Sequence, residues 1–523
     1  MTGFPLLNKD ETVKKLNRKN RSGLLVFVVL AGLFVAPDLT IAQTQNAQAP
    51  TDDTIGFWVV EALREDPRVR FSGIRVKTEN VIVTLTGTVV SLAERNYAPL
   101  ISMKIQGVRG VVNQLEVQTA NRPDGDVVRD VQRRILLSSS IRIQGLDVKA
   151  NAGTVRLAGT VGSLSQRHEV ALLASEVHGV KVITNEITVA FTTRRSDAEI
   201  SKDIEAAMRR DVYLNTLPIE ITVTKGAVVL TGEVGNAYQK ERASQESRRV
   251  ANVAAIDNQL TVAWWRERGV RGDMPRPTDG ELQDDVYAEL DQDARIDAAN
   301  ISVSSAGGHV TLRGTVPSYY QKQLAEQDAL GVAGALWVSN LLGVTSAWRK
   351  DEDIASDVVF GLQSDYLLRN EGIGVRVTDG AVTLTGSVDM ANEKVHAADI
   401  ASRIRGVQSV NNKISVSLAT KFRDAALVSR VKTRLLSNWE TRWVAGSIHV
   451  AVENGRVTLT GSVNRWSEWS EAQRVAFLTD GVSSVDNRLG VKTVSYRWED
   501  WYQDSSSQQG LPRYRLYFIE RPF

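Results

Sequence analysis

One seven-residue pattern, Val-x-Leu-x-Gly-x-Val, is written six times in this chain, and any fold must accommodate every copy. The copies are centred on Gly87, Gly159, Gly232, Gly314, Gly386 and Gly461, as in Val457-Thr-Leu-Thr-Gly461-Ser-Val463. Val, Leu, Gly and Val alternate mostly with Thr, Ser or Arg. That period of two fits a strand with one buried and one wet face, and no helix can present it. The Gly falls in the inward-pointing series, where a missing side chain lets another backbone come close or lets the strand bend. The expected occupant of that space is a helix crossing tightly over the strand.

A second landmark follows each of these glycines at a constant distance of 20 positions. It reads Gly-Val-x-x-Val-x-Asn, or a close variant, from Gly107, Gly179, Gly334, Gly406 and Gly481, and Asn252 takes the Gly position in the third copy. Gly and Asn best tolerate the left-handed conformation, so the interval is expected to hold a helix that stops there. Alternation then resumes after Asn113, Asn185, Asn258, Asn340, Asn412 and Asn487, which predicts another strand.

Upstream, each copy opens on an Asp three residues before an apolar one: Asp52, Asp124, Asp197, Asp279, Asp351 and Asp424. An Asp so placed is expected to cap a helix start. Apolar residues then recur every four positions, as in Ile200, Ile204 and Met208, which is one face of a helix. Between helix and core strand lie short alternating runs and tight-turn pairs such as Asp379-Gly380 and Asn454-Gly455. Only the first copy, with Glu79-Asn80, lacks a Gly at its turn.

The unit is therefore helix, strand, strand, helix, strand. Its hairpin is antiparallel and its helical return makes the third strand parallel to the second. The fold class is α+β, a tandem repeat of six small domains, each a three-stranded mixed sheet with two helices on one face. The units span 52–119, 124–191, 197–265, 279–346, 351–418 and 424–493. Segment 266–278 contains Gly269, Gly272, Pro275 and Pro277. It divides the array into two sets of three, with the greatest freedom expected between them.

Residues 1–49 carry six basic and three acidic side chains, with an apolar core from Leu24 to Ala36 after the basic segment and then small-residue sites at Ala42 and Ala49. That core is short for a membrane-spanning helix and right for a cleaved signal peptide. The alternative, an uncleaved anchor, exports the rest equally. Without the leader, 57 basic residues face 58 acidic ones. The basic balance thus belongs to the leader, and nucleic acid loses its electrostatic argument as a partner.

This pattern resembles the BON domain family of bacterial envelope proteins, on the Val-x-Leu-x-Gly-x-Val strand, the Gly-Val-x-x-Val-x-Asn segment and the helix opened by Asp. The resemblance implies the α+β unit just described. It also implies a periplasmic or cell-envelope protein that binds phospholipid or a membrane surface and supports envelope integrity or osmotic stress tolerance, with no single reaction attached. The alternative is a structural adaptor binding other envelope proteins or peptidoglycan.

No catalytic, cofactor or metal site is expected. The chain has no Cys, and its five histidines, His168, His178, His309, His396 and His449, occupy non-equivalent repeat positions. An anionic lipid contact is expected on the sixth copy. Six of the eleven Trp lie between Trp439 and Trp501, and Lys421 to Phe523 holds fifteen basic against eleven acidic residues. Arg430, Lys432, Arg434 and Arg442 surround Trp439 and Trp443, in an insertion unique to this copy. Trp favours the membrane interface and basic residues favour anionic lipid. Trp498 and Trp501 are expected either to join that contact or to pack under the aromatic tail, 494–523, as a cap.

Overall fold

The computed structural model describes residues 50–492 apart from 67, 192–193, 264–276, 370 and 418–421. The leader, the tail with Trp498 and Trp501, and most of the predicted linker lie outside the described residues. In the first repeat α1 (Asp52–Glu65) leads to β1 (Ile74–Glu79), β2 (Ile82–Val89), α2 (Leu92–Met103) and β3 (Gly110–Val117). β2 is central, antiparallel to β1 and parallel to β3, with Gly87 opposite both Ile74 and Leu115.

The other five repeats follow the same order. Their first and second helices are α3 (Asp124–Leu137) and α4 (Leu164–Ser175), α5 (Asp197–Arg210) and α6 (Ala237–Arg249), α7 (Asp279–Gln292) and α8 (Tyr319–Gly331), α9 (Asp351–Ser364) and α10 (Ala391–Arg403), and α11 (Asp424–Ser437) and α12 (Trp466–Phe477). Each repeat buries its own core. In the first, Ile55, Val59 and Leu63 of α1 and Ala98 and Ile101 of α2 cover Val83, Leu85 and Val89, while the Thr side of the strand stays partly exposed.

Two local expectations are corrected. The space beside the core glycines belongs to backbone and not to a helix. A Cβ built on Gly87, Gly232, Gly314 or Gly461 would fall onto the carbonyl oxygen of Gly73, Pro218, Asn300 or Ser447, at the start of the antiparallel partner strand. The glycines take φ of 106 to 147°, which closes the strand ends together at a conformation an L side chain rarely adopts.

The opening Asp is the first residue inside its helix, and in repeats one, three, four, five and six its carboxylate reaches away to the hairpin turn. Asp52 accepts from the backbone N–H of Asn80 and Val81, Asp197 from Lys225 and Gly226, Asp279 from Gly307 and Gly308, and Asp351 from Asp379 and Gly380. Asp424 holds Asn454 and Gly455 in the same way. The N-caps are Thr51, Ser196 and Thr278 in repeats one, three and four.

The repeats do not string out. Helices α2, α4 and α6 pack on one another, and α8 packs on both α10 and α12. One position, five residues beyond each core Gly, shows the order of each ring. Leu92 enters the core of repeat two, Leu164 packs against that of repeat three, and Ala237 returns to that of repeat one. In the other ring Tyr319 packs against the core of repeat five, and Trp466 meets Trp337 of repeat four with ring centroids 4.9 Å apart.

The two rings face each other in reversed pairs. Helices α1 and α11, α3 and α9, and α5 and α7 are in contact. Isolated antiparallel bridges join Ile105 to Asn438, Ser138 to Ile404, Val177 to Asp365 and Asp211 to Val332. Repeat one thus meets six, two meets five and three meets four, which is dihedral pseudosymmetry, three-fold by two-fold, within one chain. The division into two sets of three is a division into two rings, and repeats three and four are held together and not merely tethered.

Candidate functional site

A buried polar layer occupies the junction of the rings. Every first helix ends on a short polar residue: Asp66, Ser138, Asp211, Asp293, Asp365 or Asn438, none more than 6% exposed. Each accepts from a backbone N–H two residues on, at Arg68, Ser140, Tyr213, Arg295, Leu367 and Glu440. Such a turn carries the chain out of the helix while using the side chain locally. The signal was in the sequence, since these residues stand 14 positions after each opening Asp.

Beside these turns lie buried charges paired both within and across repeats. Within repeat three, on its face toward repeat four, Arg242 sits 2.8 Å from Asp211 and from Glu246. Arg249 lies 3.3 Å from Glu246 and Glu289 and 3.0 Å from Asp328. Burial pushes the Glu289 carboxyl up to about 8 and that of Asp328 up to about 7. Between repeats two and five, Arg134 lies 2.8 Å from Glu176 and 3.3 Å from Asp365, and it donates to the Gly361 carbonyl.

His396 also pairs with Asp365, at 3.0 Å. Burial alone would lower its pKa, but Asp365 holds it above the usual histidine value. His168 and His178 go the other way, pushed down to about 4 by burial and by neighbouring arginines. Among the described residues no cluster of three or more His, Asp or Glu is placed to hold a metal. The arrangement fixes repeats against one another.

The structure separates the residues expected to contact lipid. Trp439 is 1% exposed and packs on Tyr213 and Tyr238 of repeat three, with both centroid distances 5.3 Å. It is therefore a core residue between repeats and not a surface anchor. The insertion that carries it reaches across to another repeat, which its own sequence neighbourhood could not reveal. Arg434 is buried and donates to the Leu478 carbonyl. Arg430 is committed to Glu65 of repeat one and stacks on Phe422.

What remains outside is Lys432 and Trp443, the latter 45% exposed with the Arg442 guanidinium 4.1 Å above its ring. Trp466 and Trp469 stack at 4.2 Å, and Trp469 donates to the Leu489 carbonyl. Among the described residues no helix is long and apolar enough to cross a membrane.

The BON domain family profile matches six segments, 51–119, 123–190, 196–263, 278–346, 350–417 and 423–493. The chain belongs to the BON domain family. Over 143 residues it is 28% identical to osmotically-inducible protein Y of Escherichia coli, covering 26% of this chain and 71% of that protein. Over 140 residues it is 29% identical to the outer membrane lipoprotein DolP of Haemophilus influenzae, covering 26% and 71%. A solved C-terminal domain of CdsD, a structural protein of the type III secretion system of Chlamydia trachomatis, is matched at 16% identity. It covers 43% of this chain and all of that one with a TM-score of 0.12, too low to carry an argument. The alignments to osmotically-inducible protein Y and to DolP each span a length close to two of the six repeats.

Proposed function

We propose that this BON-domain protein is an exported, non-enzymatic component of the cell envelope that associates with an anionic membrane surface and supports osmotic tolerance. The observation that carries this reading is the six-fold BON match, joined by two relatives named for osmotic induction and for the outer membrane. The leader, read as a signal peptide, agrees with export. The membrane contact is assigned to the exposed part of the sixth repeat, Lys432, Arg442 and Trp443. A half-exposed indole beneath a guanidinium suits an interface that is apolar on one side and anionic on the other. Arg430, Arg434 and Trp439 are excluded from it by burial or by partners in other repeats.

Flotation of the mature protein with vesicles tests this. Binding is expected on phosphatidylglycerol-rich vesicles and not on neutral ones, and Trp443→Ala should weaken it several-fold with the fold unchanged. Equal recovery with both lipids, or binding only to detergent-extracted envelope proteins in a crosslinking experiment, would favour the adaptor reading instead.

A further inference from the structure

A cavity of about 240 Å³ opens where repeats one, three and six meet. Four cationic side chains line it: Arg68 and Lys104 from the first repeat, and Arg434 and Arg474 from the sixth. Tyr238 and Gln245 of repeat three complete a polar wall. No single repeat could form this space, so it exists only because the rings close.

The carboxylates nearby are already in use. Asp66 is spent on Arg68, at 2.7 and 2.9 Å, within its own turn. Glu471 is shared between Arg474, Lys104 at 3.2 Å and the Asn438 amide at 2.8 Å. Glu241, also on the wall, lies 4.0 Å from Arg248. Arg434 donates one N–H to the Leu478 carbonyl, and among the described residues no carboxylate lies within ion-pair distance of it.

The electrostatics agree with this geometry. Burial, reinforced by Arg474, pushes the Lys104 ammonium down to about 8. Burial also outweighs Asp66 and Glu65 and pushes the Arg434 guanidinium down to about 10. Among the described residues Arg434 has no carboxylate of its own and Lys104 shares its one, Glu471, with Arg474, so a dianion between them would relieve the excess of positive charge.

We propose that this cavity binds a small phosphate-class anion, inorganic phosphate or the phosphate monoester of a small polyol, held by Arg434 and Lys104 with Arg474 behind them. The volume lies below the range of sites for drug-sized ligands and leaves no room for an acyl chain. The site is separate from the exposed Trp443 surface, so either can fail without the other.

Titration calorimetry of inorganic phosphate into the mature chain, against chloride of equal ionic strength, tests it. One saturable site per chain is expected. Arg434→Gln should weaken it tenfold or more, while Arg488→Gln, on the exposed sheet of the same repeat, should leave it unchanged. Because a buried Arg434 substitution could unfold the junction, the unmodified protein supplies a second readout. Its thermal midpoint should rise with phosphate and not with chloride. No saturable heat up to about 10 mM phosphate, which bounds the affinity above the millimolar range, would overturn the proposal. So would no specific shift in midpoint, undiminished binding by folded Arg434→Gln, or a response to phosphatidylglycerol vesicles without one to free phosphate.

Discussion

At the scale of single residues, the departures from the common pattern are the most informative. Five repeats put a Gly in the second position of the hairpin turn, and the first, whose turn is Asn80-Val81 and not the expected Glu79-Asn80, puts Val81 there at φ 61°. A β-branched residue in the left-handed region is strained, at a typical cost of about 1–3 kcal/mol. Val81→Gly should therefore raise stability by about 1 kcal/mol, net of the packing it removes. Chemical denaturation measures this, and a loss of stability would show that the partly buried isopropyl group outweighs the strain.

His396 offers a second case, faced by Asp365, Glu176, Asp399 and the Tyr366 ring. Its folded pKa is raised, so its contribution is fully present below about pH 6.5, the usual histidine value, and is lost as pH rises through the folded pKa. His396→Asn should destabilise by about 2 kcal/mol near pH 5.5, with the gap narrowing by pH 8. A gap that widens with pH would contradict the ion pair.

At the scale of elements, the two carboxamide and carboxylate landmarks are staples between elements. The Asn four residues into each third strand donates from its amide to a carbonyl of the second helix 18 residues earlier, as Asn113 does to Arg95 and Asn412 to Lys394. The opening Asp ties the first helix to the hairpin turn. Asp197→Ala removes two backbone partners at once and should cost about 1 kcal/mol or more, with amide exchange rising first at Lys225 and Gly226. Unchanged exchange there would mean that the turn stands without the carboxylate.

The element order, the hairpins and the parallel third strand were legible in the sequence because each depends on local periodicity and turn chemistry. What comes against the core glycines was not, because a strand pattern records that space is needed and not whether helix or backbone fills it. Trp439 failed for the same reason. Its apolar partners, Tyr213 and Tyr238, lie some two hundred positions away, and an interfacial Trp and an inter-repeat Trp have the same flanks. Nor did anything local mark the four cations around the repeat-one, three and six cavity as neighbours.

At the scale of the molecule, a unit of this size buries only about 60% of its unfolded surface and is marginal alone. A linear solenoid would solve this with neighbour contacts and terminal caps. This chain solves it by closure, with each repeat packed within its ring and paired with one repeat of the opposite ring, and with repeat six also reaching repeat three through Trp439. The polar layer this requires is specific, since Arg134, Arg249 and Glu471 each also pair with a group in the opposite ring, Asp365, Glu289 with Asp328, and Lys104, which any other pairing would remove. Reversed pairing is thus the central claim, and the absence of native Cys makes it directly testable. Ile105 and Asn438 are opposed across an isolated bridge between the first and sixth repeats, at a separation compatible with a disulfide. Ile105→Cys combined with Asn438→Cys should oxidise at low protein concentration to a single intramolecular crosslink, seen as a faster band without reductant. Free thiols, or crosslinks only between molecules, in protein whose circular dichroism matches the parent would contradict the closed pairing.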